Sequence, residues 1–431
     1  MEQLRIVAKN ALRALEQVGA ARAAVTATQA KTTEFNMADG EFTLLRTLHD
    51  DALALTGFDG GRKGTIGLNR FDESSIRQAA ADCMASARTA EDDPAWEIAS
   101  EGTGAFTGGA PEADVARFFE RSRELLAQIA ERHPMLLVEQ MILAHRGVKT
   151  VYENSNGVHY EDTSGEYEIY MSVCARDGDD CSAMAGTGVV TASLDKPFLE
   201  LGTVERDLQL AELQVRTEPY SGKGILPVII APDCLEALLG SLLGNFCGDA
   251  AILSGTSAWK DKLGQLVADP RLTVTVAAQA PELVSAEHWT SEGFPAENYD
   301  VIREGRLESF IISQYVANRT GFARAKNSGG SFVVAPGDKS LGELMADIGT
   351  GLYVGRFSGG APASNGDFSG VAKNSFLIEN GKLGRAVSEV MISGNLADVL
   401  GNLRGISRER AENGTAALPW VAADGVTVSG K

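Results

Sequence analysis

"NGDFSGVAKNSFLIENGKL", residues 365–383, holds a glycine-broken loop, an apolar strand, an Asn380-Gly381 turn and the start of a second strand. Asn-Gly between two β-favouring runs marks a two-residue hairpin, because both central residues of that turn need positive φ. The same device occurs in "YDVIREGRLESFIISQY" (299–315) and in "FNMADGEFTLL" (35–45), where Asp39-Gly40 is the turn. Hairpins join antiparallel neighbours, whereas parallel strands need long crossovers. The expected fold class is therefore α+β, with antiparallel sheets, flanking helices and a C-terminal half rich in β-hairpins, rather than a doubly wound parallel sheet.

Working outward, Leu4, Val7, Ala8, Ala11, Leu12, Leu15 and Val18 recur at helical spacing and predict an N-terminal surface helix rather than a signal peptide. Further helices are predicted over 72–88, capped by Asp72 or Ser74, over 114–132, and over 198–216. Strands are expected from Leu136 to Val190, with breaks at His145 to Gly147, Asn154 to Gly157 and Asp177 to Asp180. "SGKGILPVIIAP" reads as a flexible joint followed by a fully buried strand. It divides the chain into two expected domains, 1–220 (α+β) and 221–431 (β-rich), as a length of 431 residues suggests.

The chain carries 39 basic and 58 acidic residues, a formal net charge of −19. Such a field repels phosphate backbones and anionic membranes, so nucleic acid and membrane are not expected partners. The longest uncharged apolar run, Ala237 to Gly248, is 12 residues, against the roughly 18 needed to span a bilayer. Five scattered cysteines (Cys83, Cys174, Cys181, Cys234 and Cys247) fit a reducing compartment, and the expected location is cytoplasmic.

The search for chemistry yields little. The glycines of "GTGLYVG" (349–355) are wrongly spaced for a phosphate loop and read as a sharp turn packed on another backbone. The five histidines include no helical pair of the kind zinc sites use, and no GxSxG elbow is present. His288, flanked by Glu287, Trp289 and Glu292 in a loop, is the most suggestive histidine. No catalytic residue and no metal site is assigned to this chain.

Taken in order, "YENSNGVHYEDTSGEYEIY" (152–170), "SEGFPAENYDVIREGRLESFIISQYVANRTG" (291–321), "NSGGSFVVAPGD" (327–338), "MADIGTGLYV" (345–354), "NGDFSGVAKNSFLIENGKL" and "SEVMISGNLADVL" (388–400) resemble the TldD/PmbA family. Within it, TldD-like subunits carry HExxxH and a later cysteine as a zinc site, and PmbA (TldE)-like subunits lack them. Counting back from "GTSAW" (255–259), the motif positions fall near Gly240, Ser241 and Asn245, and no cysteine follows Cys247. The chain thus resembles the second group.

The resemblance implies a heterodimer with a TldD-like HExxxH subunit that holds the zinc, acting as a peptidase on short or unfolded peptides or on peptide-derived precursors. It also brings the description of the family as modulators of DNA gyrase, although the charge speaks against direct DNA contact. Residues expected to line a substrate chamber or subunit interface are Glu287, His288, Asn365, Gly366, Asp367, Phe368, Ser369 and Gly370. Two alternatives remain open: a catalytically silent homodimer that binds a peptide or metabolite, and a zinc-independent enzyme acting on amide bonds.

Overall fold

The computed structural model describes residues 1–38, 40–359 and 362–430. It is a two-domain α+β fold with two large sheets. The first sheet uses β1 (Arg22–Ala38), β2 (Glu41–Asp59), β3 (Arg62–Leu68), β4 (Thr103–Gly109), β5 (Leu136–Asn154), β6 (His159–Asp177), β7 (Asp180–Cys181) and β8 (Ala185–Thr191). Its order is β3-β2-β1-β5-β6-β4, with β7 and β8 also paired to β6. All pairings are antiparallel except β4 on β6.

Side chains alternate between the faces of a strand, and one face of this sheet carries the helices. Helices α1 (Glu2–Gln17) and α2 (Glu73–Thr89) set Leu4, Leu15, Ile76 and Met84 against Val25, Leu53 and Leu55. Helix α3 (Val115–Arg132) and α4 (Val204–Glu212) set Phe118, Leu125 and Leu208 against Phe35, Met141, Leu143 and Ile169. Asp72 and Asp114 cap α2 and α3 by accepting the amides of Ser75 and Arg117. The helix-free face presents Asp162, Glu166, Glu168 and Tyr170 of β6 toward the second half of the chain, where Ser285 donates to Glu166.

The second sheet uses β9 (Glu218–Pro219), β10 (Lys223–Ile230), β11 (Val274–Val276), β12 (Tyr299–Arg303), β13 (Arg306–Leu307), β14 (Phe332–Val334) and β15 (Gly351–Val354). It continues with β16 (Arg356–Gly359), β17 (Asp367–Lys373), β18 (Ser375–Glu379), β19 (Lys382–Ser388), β20 (Val390–Asn395), β21 (Leu403–Glu412) and β22 (Ala417–Ser429). Strand β22 is the hub, bonded to β10, β14, β20 and β21. Helix α5 (Pro232–Cys247) lies on it, burying Leu235, Leu239, Leu242, Leu243 and Phe246. Shorter helices follow: α6 (Asp249–Ser254), α7 (Gln314–Thr320), α8 (Leu341–Ile348) and α9 (Leu396–Gly401).

The turn at Asn380-Gly381 forms as expected, with φ of 51° and 74°. So does Glu304-Gly305, at 47° and 76°. The 35–45 hairpin also pairs, but Asp39 lies outside the described residues.

Five expectations need correction. The segment after Glu304-Gly305 is a strand for two residues only. Ser313 then caps α7 by accepting the Val316 amide, so no strand reaches Tyr315. The region 198–216 is not one helix but a 3-10 turn, Phe198–Glu200, followed by α4. Gly202 separates them at φ 51°, where a Cβ would lie 2.3 Å from Asn413. Strand β5 runs unbroken through 145–147; Gly147 is there because the carbonyl of Pro111 lies where its Cβ would be. The strand after the joint is buried only at Val228 to Ile230, and Ile225 is exposed. Finally, Phe368, Ser369 and Gly370 belong to β17 rather than to a loop, and Gly370 pairs with Gly359 beneath the Phe357 ring.

Candidate functional site

Helix α5 organises the site. It begins with Pro232, whose missing amide costs nothing in a first turn. Its leucines bury one side, leaving Asp233, Glu236, Ala237 and Gly244 exposed and Gly240 half-buried along the other. At its N-terminal end, Asp233 and Glu236 share a recess with Glu168 and Tyr170 of β6, Gly188 of β8, and Asn413. A second recess adjoins the first through Asp233 and is lined by Asp207, Tyr353, Arg356 and Trp420.

The electrostatics of that end are unusual. Burial pushes the Asp207 carboxyl up to about 6, although Thr187 and Thr203 hydroxyls donate to it at 2.6 and 2.8 Å. Although both side chains remain exposed to solvent, desolvation by the protein packed around them raises Asp233, and raises Glu236 with help from the Asp233 charge. Arg206 answers this charge with its guanidinium 4.7 Å over the Trp420 ring, and the Trp420 indole donates to Tyr353 at 3.1 Å. Asp207, Asp233 and Glu236 thus line two adjoining recesses with negative charge, which can hold a cationic group.

The C-terminal end of α5 is different. Asn245 donates its amide to the carbonyls of Pro362 and Ala363, at 3.0 and 3.3 Å. The loop it holds is tied to itself: Gly366 donates to Ala363, Ala363 to Asp367, and Leu396 to Gly366. Asn395 donates to Asn365 and Asp367, and Asn365 donates to Asp367, which lowers the Asp367 carboxyl. Gly366 adopts φ 90°, with room for a Cβ only 3.2 Å from Phe246 and Asn395. The Ser241 hydroxyl donates back to Ala237 at 2.8 Å, and nothing lies within 4 Å of a Cβ on Gly240.

Gly240, Ser241 and Asn245 therefore share one helix but offer no imidazole, thiolate or carboxylate, and they do not fit zinc. Among the described residues, no group of three or more His, Cys, Asp and Glu is placed to hold a metal. Cys234 is pushed up to about 12 by burial and Cys247 is raised by the same cause, so neither is a ready thiolate ligand.

Of the residues singled out from sequence, the structure brings Asn245 against the 362–367 loop, and β17 carries on from there. Glu287 and His288 lie elsewhere, at the seam between the two halves. Glu287 accepts the Ser328 amide and hydroxyl at 2.9 and 2.8 Å. His288 lies in a loop, as expected, but is half-buried: it stacks 3.9 Å from Phe106 and sits 3.7 Å from Asp162, and burial lowers its imidazole. Sequence reasoning missed Asp207, Asp233, Glu236 and Asn395. Asp233 and Glu236 gave a signal, being the only charges on an otherwise apolar helix one turn apart.

Comparison with known proteins agrees with this architecture. Residues 222–430 match the PmbA/TldA metallopeptidase C-terminal domain. The metalloprotease PmbA of Escherichia coli O157:H7 is 26% identical over 388 residues, covering 86% of this chain and 85% of that protein. The PmbA homologue of Haemophilus influenzae is 24% identical, covering 89% and 86%. Two solved structures share the fold. TldE from Thermococcus kodakarensis has a TM-score of 0.85 at 18% identity, covering 98% of this chain and 100% of that one. A Bacteroides thetaiotaomicron protein named as a candidate modulator of DNA gyrase has a TM-score of 0.88 at 22% identity, covering 100% of both chains. Residues 222–430 thus carry the PmbA/TldA metallopeptidase C-terminal domain, and over most of its length the chain is similar in sequence to PmbA proteins of the TldD/PmbA family.

Proposed function

We propose that this chain is the TldE-like, non-zinc subunit of a cytoplasmic metallopeptidase acting on short or unfolded peptides or peptide-derived precursors. Residues 1–220 and 221–431 would be its two domains. The zinc and the catalytic glutamate would reside in a TldD-like partner, and this chain would complete the chamber. The observation that carries the reading is α5, where the HExxxH positions counted back from Gly255 fall near Gly240, Ser241 and Asn245, and Asn245 is already committed to two backbone carbonyls. No imidazole, thiolate or carboxylate can be brought there by a rotamer change alone. No helix among the described residues is long and apolar enough to cross a membrane, which is compatible with this role.

In this reading the exposed side of α5, the 365–367 turn and β17 face the chamber. The test is to isolate the tagged chain from its native host and measure the mass, stoichiometry and zinc content of what accompanies it. The expected result is one zinc-bearing HExxxH partner per chain, and chelator-sensitive peptide hydrolysis only when both are present. A metal-free homodimer recovered alone would overturn the subunit reading.

A further inference from the structure

Beyond the C-terminal end of α5 lies a separate recess of about 170 Å³. Its walls are tied by main-chain bonds: Ile311 donates to Cys247, Ala325 to Ile312, and the Ser313 amide to Asp249 at 2.7 Å. Asn327, almost wholly buried, clamps one wall by donating to Val276 and Glu297 and accepting from Gly329. The recess is thus formed in the free chain, and at about 170 Å³ it is smaller than the roughly 300 Å³ and more of drug-sized sites, so it suits only a small ligand.

Its charges are arranged in an unusual way. Arg324 is half-buried, stacks 4.3 Å over the Phe294 ring and donates one bond to the Ala325 carbonyl. Among the described residues no carboxylate comes within ion-pair distance of it. Two carboxylates nevertheless line the same recess. Glu292 accepts from the Thr290 hydroxyl at 3.0 Å and feels the nearby charge of Lys63. Asp249 lies at the exposed rim of the recess and, among the described residues, is bonded by the Ser313 amide alone. A guanidinium and a carboxylate held in one cavity without meeting complement a ligand that carries both signs. Arginine supplies a planar fork for a carboxylate, and the stack on Phe294 fixes its plane.

We propose that this recess binds a small zwitterion, a free α-amino acid or a dipeptide, with its carboxylate on Arg324 and its ammonium on Asp249. The site belongs to this chain alone and goes beyond its role as a subunit. It can fail while the heterodimer stands, and the reverse.

The purified chain is titrated calorimetrically with L-alanyl-L-alanine, with its C-terminal amide and with its N-acetyl derivative. Saturable binding of the dipeptide is expected, with each blocked form weaker by about tenfold or more, the order of a lost charge-assisted hydrogen bond. Arg324→Ala should weaken the dipeptide by the same factor. Asp249→Asn keeps an acceptor for Ser313 and guards against a folding defect at Arg324. It should weaken the free dipeptide but leave the N-acetyl form unchanged. The proposal is overturned by absence of binding into the millimolar range, by equal affinity for the amide, or by an Asp249→Asn variant that binds the free dipeptide as the parent does.

Discussion

The two ends of α5 lie about 24 Å apart, at a rise of 1.5 Å per residue over 16 residues, and they contrast in how their polar groups are satisfied. At the C-terminal end the main polar groups bond inside the protein: Asn245 on two carbonyls, Asp367 on two amides, and the 362–366 loop closed on itself. At the N-terminal end, Asp207, Asp233 and Glu236 sit in open recesses with their ionised forms disfavoured. A satisfied network spends its polar groups on holding shape, whereas groups that resist ionisation in a cleft remain available to a ligand. The end where a metal motif would terminate is thus the more internally bonded one, and the acidic recesses lie at the other.

The sharpest way to break this comparison is to unseat the structural end. Phe246 is 1% exposed, packs edge-on to Trp259 at 4.9 Å and touches Gly366. Phe246→Ala should cost roughly 3–5 kcal/mol, the scale of large-to-small core changes. Denaturant unfolding measures it; a loss below roughly 1 kcal/mol would mean that this end is not the packed anchor described.

Next in size is the opposite end. Asp207 is pushed up to about 6 in the fold, against about 3.9 for an unfolded aspartate. Between those values the folded state binds the extra proton, so stability is greatest below the lower one and falls as pH rises through about 6. The loss is at most about 3 kcal/mol by that linkage. Asp207→Asn still accepts the Thr187 and Thr203 hydroxyls but cannot ionise. It should flatten the pH 4–7 limb of the melting profile and melt higher than the parent at pH 8. An identical profile in parent and variant would remove the cleft's electrostatic distinction.

Much of the fold is legible because its turns are local. Asn380-Gly381 and Glu304-Gly305 take positive φ wherever the sheet lies. What followed Glu304-Gly305 was not legible, since the length of β13 depends on Gly248 bridging Ile311 from far along the chain. Gly202 and Gly147 misled for the same reason: Asn413 and Pro111 occupy their Cβ positions, and neither neighbour is close in sequence. At the site, positions 240, 241 and 245 do fall on one helix, α5. The cleft needed 168–190, 207, 233 and 411–418 brought together by two sheets, which no local pattern announces.

The finest discrimination comes from Asn245 itself. Removing its amide leaves the Pro362 and Ala363 carbonyls without that donor, one of these bonds part-buried and the other exposed. Water can reach the exposed carbonyl, so Asn245→Ala should cost about 1 kcal/mol, the net worth of an ordinary hydrogen bond. Alanine's better helix propensity returns a few tenths of that. Ser241→Ala is the internal control: its hydroxyl only bonds back to Ala237 within the helix, so the change should be neutral or slightly stabilising. If both variants melt together with the parent, Asn245 is idle and the C-terminal end is free for another role. If only Asn245→Ala melts lower, the residue at the last motif position holds a loop in place, as the geometry at Pro362 and Ala363 requires.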